Sequence, residues 1–120
     1  MWDLDGKTSA HLANYESLVS SIADHTTRFG RPVLLLNGDS HTYRSDNPLV
    51  SGAPCTGDEG VCSDDAWNSH PTYDVPNFHR ITVHGSTIPL EYLRLTIDPR
   101  ADAANGAAAF GPFSWARVME

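Results

Sequence analysis

Basic residues are scarce. Eight Lys and Arg stand against fifteen Asp and Glu in 120 residues, a formal net charge of -7. They are scattered along the chain, so the positive footprint that a phosphate backbone requires is missing, which argues against nucleic-acid binding. Long apolar runs are missing as well. No stretch approaches the roughly eighteen consecutive apolar residues of a membrane span, and the opening Met1-Trp2-Asp3-Leu4-Asp5 has neither the basic nor the apolar region of a signal peptide. Cysteine is nearly absent: Cys55 and Cys62 lie close together in a stretch rich in Gly, Pro, Ser and Asp. Their spacing suits a local disulfide, which would limit the unfolded chain by roughly 2–3 kcal/mol and imply an oxidising compartment, hence a periplasmic or secreted parent. Two free thiols are the alternative. A zinc site needs four ligands at set spacing, and only His70 lies near.

What is present is helical first and β later. Leu12, Tyr15, Leu18, Val19, Ile22 and Phe29 recur at steps of three and four, predicting a helix over about 9–29 with one apolar stripe. Thr8 or Ser9 can cap its start, and Gly30 with Pro32 ends it. Val33-Leu34-Leu35-Leu36 is a continuous apolar run, which predicts a strand buried on both faces. Residues 45–77 are dominated by turn formers and acids and read as a long Cys-containing loop or insertion within a single partial domain spanning 1–120. Arg80 to His84 and Glu91 to Ile97 alternate as half-buried strands do, and Gly85-Ser86 between them predicts a hairpin-like pair. An Ala/Gly/Asn linker then leads to a last strand over Phe113 to Val118. Helix, buried strand and then antiparallel strands place the chain in the α/β class, more narrowly as an α+β fragment.

The chemistry concentrates after the first strand. Asn37-Gly38-Asp39-Ser40-His41 brings an amide, a carboxylate, a hydroxyl and an imidazole to a strand's carboxyl end, where open α/β sheets place ligands. Such a set can hold a divalent metal. It also suits a plain polar turn in which Asp39 and Ser40 bond neighbouring amides.

Gly38-Asp39-Ser40-His41, placed after Val33 to Leu36, resembles the Gly-His-x-His motif that ends the metal-ligand series of calcineurin-like metallophosphoesterases. The flanking blocks are similar to a bacterial branch of that superfamily: Thr42-Tyr43-Arg44, Asn47-Pro48-Leu49, Pro76-Asn77-Phe78-His79-Arg80, Leu95-Thr96-Ile97-Asp98-Pro99 and Phe113-Ser114. The resemblance covers most of the chain except the cysteine loop. It implies the C-terminal part of a β-sandwich flanked by helices, a phosphate mono- or diester as substrate, and two divalent ions among which manganese, iron, zinc and calcium are not distinguished. By position His41 would bind the first metal, and Asp39 stands where the family usually has the His of the second; a carboxylate also ligates hard ions. Asn37, Ser40 and His79 would line the site. The family's Asp-x-His, Gly-Asp and Gly-Asn-His-Asp or Gly-Asn-His-Glu segments are not found in these residues. They are expected upstream of Met1, in a missing N-terminal part of the same domain, so this chain alone is expected to be inactive.

Two other readings compete. Gly38-Asp39-Ser40 also opens GDSL-type esterases, with Ser40 as nucleophile, but their Asp-x-x-His has no counterpart among the six histidines. A noncatalytic extracytoplasmic binding module would use Asp58, Glu59, Asp64 and Asp65 for calcium, although their spacing is not that of an EF-hand. His11 and His25 flank the helix stripe as half-buried residues, His84 ends a strand on its polar side, and His79 reads as a surface-strand residue.

Overall fold

The computed structural model describes residues 15–38, 42–63, 73–85 and 91–119. They form one α-helix, α1 (Glu16–Phe29), and seven strands: β1 (Val33–Asn37), β2 (Arg44–Asp46), β3 (Thr56–Gly57), β4 (Phe78–Thr82), β5 (Glu91–Ile97), β6 (Ala109–Phe110) and β7 (Phe113–Met119). The first sheet has the order β1-β4-β2-β3, and the second has the order β5-β7-β6. The described residues thus make up a small mixed α/β domain, with one helix and two sheets among them.

The stripe on α1 buries Val19, Ala23 and Thr26, one residue per turn, with Tyr15 and Ile22 beside them. Leu18 and Phe29 fall off that face, and Phe29 is 61% exposed. Thr8, Ser9, His11 and Leu12 lie outside the described residues, as do Asp64, Asp65 and His70. The helix stops where expected. Gly30 takes φ 72°, and its N–H donates to the Thr26 carbonyl at 3.2 Å. Asn77 secures the same end, since its Nδ2 donates to the carbonyls of Thr26 at 2.9 Å and Arg31 at 2.8 Å.

Strand β1 forms as its apolar run predicts, but at a sheet edge. Among the described residues it pairs on one side only, parallel to β4, and its residues are half-buried with Leu36 exposed. The larger departure is β4. Alternation from Arg80 to His84 suggests a half-buried strand paired with residues 91–97, yet all five residues of β4 are buried. Its neighbours are β1 and, antiparallel, β2. Residues 91–97 pair instead with β7, from Glu91↔Met119 to Ile97↔Phe113. The polar residues of β4 are buried because each finds a partner far along the chain.

Arg80 is the chief case. Its guanidinium grips the Asp46 carboxylate with two hydrogen bonds, Nε to Oδ1 at 2.9 Å and Nη2 to Oδ2 at 2.7 Å, with both side chains nearly removed from water. Asp46 and Asn47 therefore belong to buried structure rather than to the turn-rich segment that composition suggests for 45–77. Asn47 anchors the chain on its far side: its Oδ1 accepts from Leu49 N–H and its Nδ2 donates to the Val75 carbonyl, each at 2.9 Å. A disulfide joins Cys55 and Cys62 across the β3 region.

Two apolar clusters flank the first sheet. Val19, Ala23, Leu49, Val75 and Phe78 pack together, joined by Val33 and Leu35. Tyr43, Ile81, Phe110 and Trp115 form the other, joined by Leu34, Leu93 and Leu95. Odd and even positions of β1 and β4 thus serve different clusters, as period-two side chains must. The β6–β7 turn is fixed by Gly111, which has φ 54° and on which a Cβ would sit 2.6 Å from the Pro32 ring.

Removing one partner of the Asp46–Arg80 pair strands a buried charge. Asp46→Ala is expected to cost about 3–5 kcal/mol in urea unfolding, whereas an Asp46→Leu/Arg80→Met double variant should recover most of that loss. Equal losses for the single and double variants would contradict this assignment. Reduction of Cys55–Cys62 should remove roughly 2–3 kcal/mol more.

Candidate functional site

The carboxyl end of β1 is tied tightly to that of β4. Asn37 registers with Thr82, whose Oγ1 donates to Asn37 Oδ1 at 2.7 Å, and Val83 N–H donates to the Asn37 carbonyl at 2.8 Å. Arg44, the first residue of β2, registers with Thr82 from the other side. The two ends of segment 38–43 are therefore both anchored at one point of β4. Asp39, Ser40 and His41 lie outside the described residues, so of that motif only Asn37 and Gly38 are placed. Among the described residues no three His, Cys, Asp or Glu side chains gather as a metal site.

His79 is enclosed, 1% exposed, rather than on a strand surface. Its Nε2 lies 2.8 Å from Ser45 Oγ, its Nδ1 meets Asn105 Oδ1, and its ring packs on Phe110 and Trp115 with centroids 5.4 and 5.3 Å away. The Asn105 amide nitrogen is already used, donating to the Pro76 carbonyl at 3.2 Å. Its Oδ1 therefore accepts, Nδ1 carries the hydrogen, and Nε2 accepts from the Ser45 hydroxyl. Hydroxyl, imidazole and amide stand in the order nucleophile, base and orienter. Ser45 and His79 are both sealed from solvent, however, so the set acts as a polar clamp holding the 98–108 segment against the first sheet. Burial lowers the His79 pKa below its ordinary 6.5; the Asn105 bond and Asp46 oppose that shift, and Arg80 adds to it.

A second constellation escapes sequence reading altogether. His84 sits beyond the end of β4, and its Nε2 is 3.2 Å from Asp58 Oδ2. Asp58 Oδ2 also accepts from Tyr43 N–H at 2.8 Å, and Asp58 Oδ1 lies 3.1 Å from Arg117 Nη1. Arg117 in turn grips Glu91 with two bonds of 2.9 and 3.2 Å and lies 4.3 Å over the Tyr43 ring, whose hydroxyl accepts from Trp115 Nε1 at 2.9 Å. Asp58 is thus the hub of a network that joins His84, the Tyr43 backbone and Arg117, and through Arg117 reaches Glu91. His84 Nδ1 is buried with no hydrogen-bond partner. Members of this network are far apart along the chain, and no local pattern marks them. His25, by contrast, is exposed on α1.

No family model matches the chain, and no curated protein or solved structure gives a match.

The buried imidazole generates a pH dependence. With a folded pKa below 6.5, the unfolded chain takes up the proton first, so the contribution of neutral His79 is complete above about pH 6.5. It is lost as the pH falls from there through the lowered folded value. Urea unfolding between pH 7 and 5 should show falling stability, with His79→Gln flattening the slope by up to about 1.4 kcal/mol per pH unit, one proton's worth. An unchanged slope in His79→Gln would contradict the assignment.

Proposed function

We propose that the chain is the C-terminal portion of a metal-dependent phosphoesterase, hydrolysing phosphate mono- or diesters and contributing the last metal-ligand motif, Gly38-Asp39-Ser40-His41. The observation that carries this reading is positional: the motif comes directly after the carboxyl end of a strand paired in parallel within a mixed sheet, the place where α/β sheets receive ligands. The resemblance of the flanking blocks supplies the chemistry. His41 is then the surest ligand and Asp39 the second, on a divalent-ion centre whose remaining ligands would come from the N-terminal part of the domain. When bound, the ions would supply the activated hydroxide and the polarisation of the phosphoryl oxygens.

The described residues position the two flanks of that segment. The Asn37–Thr82 bond and the Arg44↔Thr82 pairing fix both flanks of the motif to β4, a central strand of its sheet. A ligand loop anchored at both ends loses little entropy when a metal is bound.

The assay is hydrolysis of bis(p-nitrophenyl) phosphate with manganese. The 120-residue chain is expected to turn over no faster than buffer. The product of a longer reading frame that includes upstream Asp-x-His and Gly-Asn-His segments is expected to be active, and His41→Ala should reduce that activity by on the order of 100-fold or more with circular dichroism unchanged. Turnover by the longer product that survives His41→Ala would overturn the ligand assignment. Turnover by the short chain that disappears in His41→Ala would overturn the expectation that it needs a second part.

A further inference from the structure

A hollow of about 380 Å³ opens where β1 and β4 end and β5 begins. That volume is at the lower end of the range for small-molecule sites, enough for a fused ring pair or a short branched chain. Leu36, Val83, Leu93 and Leu95 give it apolar walls. Leu36 and Tyr92, both in the lining, are 47% and 50% exposed, large side chains that stay wet unless something covers them. The charged groups of the lining are engaged: Arg117 holds Glu91 and Asp58, and His84 holds Asp58. A charged ligand group would have to break one of these pairs and strand its partner, which disfavours phosphate, carboxylate or ammonium inside the hollow.

One polar atom of the lining is left over. The His84 side chain is only 9% exposed, and among the described residues nothing pairs with its Nδ1. Its Nε2 lies 3.2 Å from Asp58 Oδ2, so in the neutral ring Nε2 carries the hydrogen and Nδ1 offers a lone pair. A buried acceptor left empty is costly, and a donor that fills it removes that cost. Bulk water does not reach the atom, so the donor has to arrive on a molecule that parts the lining slightly. The exposed side chains of Leu36 and Tyr92 leave room for such a movement, and burial of the molecule's apolar body offsets it.

We propose that the hollow binds a small uncharged alcohol or phenol, with its apolar body against Leu36, Val83, Leu93 and Leu95 and its single hydroxyl donating to His84 Nδ1. An apolar molecule without a donor leaves Nδ1 empty. A polyol sets its further hydroxyls against four apolar side chains that cannot pair with them. Every group invoked belongs to the lining itself, so the assignment stands apart from the phosphoesterase reading.

The test uses the full chain at about pH 7.5, above the ordinary histidine range. The probe is 1-naphthol, and 1-methoxynaphthalene, which has the same rings but no donor, is the control. Saturable amide shifts centred on Leu36, Val83, His84, Leu93 and Leu95 are expected with 1-naphthol, together with a shift of the His84 Nδ1 nitrogen resonance. The control should bind about fivefold more weakly, the worth of one net hydrogen bond. His84→Phe should erase that preference, and Leu36→Arg, at an exposed position, should weaken both ligands by about tenfold or more. Absence of binding up to the solubility limit, equal affinity of the unaltered chain for the two ligands, an unmoved Nδ1 resonance, shifts elsewhere on the surface, or undiminished binding by Leu36→Arg would each overturn the proposal.

Discussion

Two opposite charges buried side by side in the first sheet constrain everything built around them. Asp46 and Arg80 sit on neighbouring antiparallel strands, joined by two hydrogen bonds and almost wholly removed from water. Their mutual attraction does not make such a pair a large net source of stability, because desolvating both ions is costly. What it supplies is register. A slip of β2 on β4 by one residue would send Asp46 to the opposite face and leave the guanidinium buried alone, an outcome several kcal/mol worse than the observed one. With Asp46 opposite Arg80, Ser45 lies opposite Ile81 and Arg44 opposite Thr82.

That register decides both sides of the sheet. Phe78 is directed to the cluster that α1 covers, while Ile81 joins the cluster shared with β7 and β5. His79, on the Ile81 side, meets Ser45 because β2 is held in place, and through Asn105 it fastens the 98–108 segment. At the strand's end the same register sets Thr82 between Asn37 and Arg44 and carries His84 on to Asp58. The candidate site is thus assembled on the carboxyl end of β4, although the motif that suggests its chemistry belongs to the segment after β1.

The sequence makes some of this legible and hides the rest for physical reasons. The helix is visible because Tyr15, Val19 and Ile22 repeat with its period, although Leu18 and Phe29, which share the spacing arithmetic, turn out to face water. Strands β1, β5 and β7 are visible from an apolar run or from alternation. Strand β2 is not, since Arg-Ser-Asp reads as a polar turn until partners 17 to 34 residues away are known. Strand β4 is visible as a strand but misread as half-buried, because His79, Arg80 and Thr82 look like solvent-facing residues and each is satisfied by a distant group. The hairpin suggested by Gly85-Ser86 fails for the same reason: local turn chemistry does not reveal that β4 already has neighbours on both edges. Of the site, only the 38–41 motif is legible; the His84–Asp58–Arg117–Glu91 network has no sequence signature, since its members come from four separate segments.

Native-state amide hydrogen exchange tests the primacy of β4 most directly. If the buried ion pair and its strand hold the two clusters together, the amides of Arg80, Ile81 and Thr82 exchange last, and only through global unfolding, so that their exchange free energy matches the unfolding free energy and falls with urea at the same slope. Exchange of those amides through a smaller opening, ahead of the β5 and β7 amides, would contradict the account and make the second sheet the more stable unit.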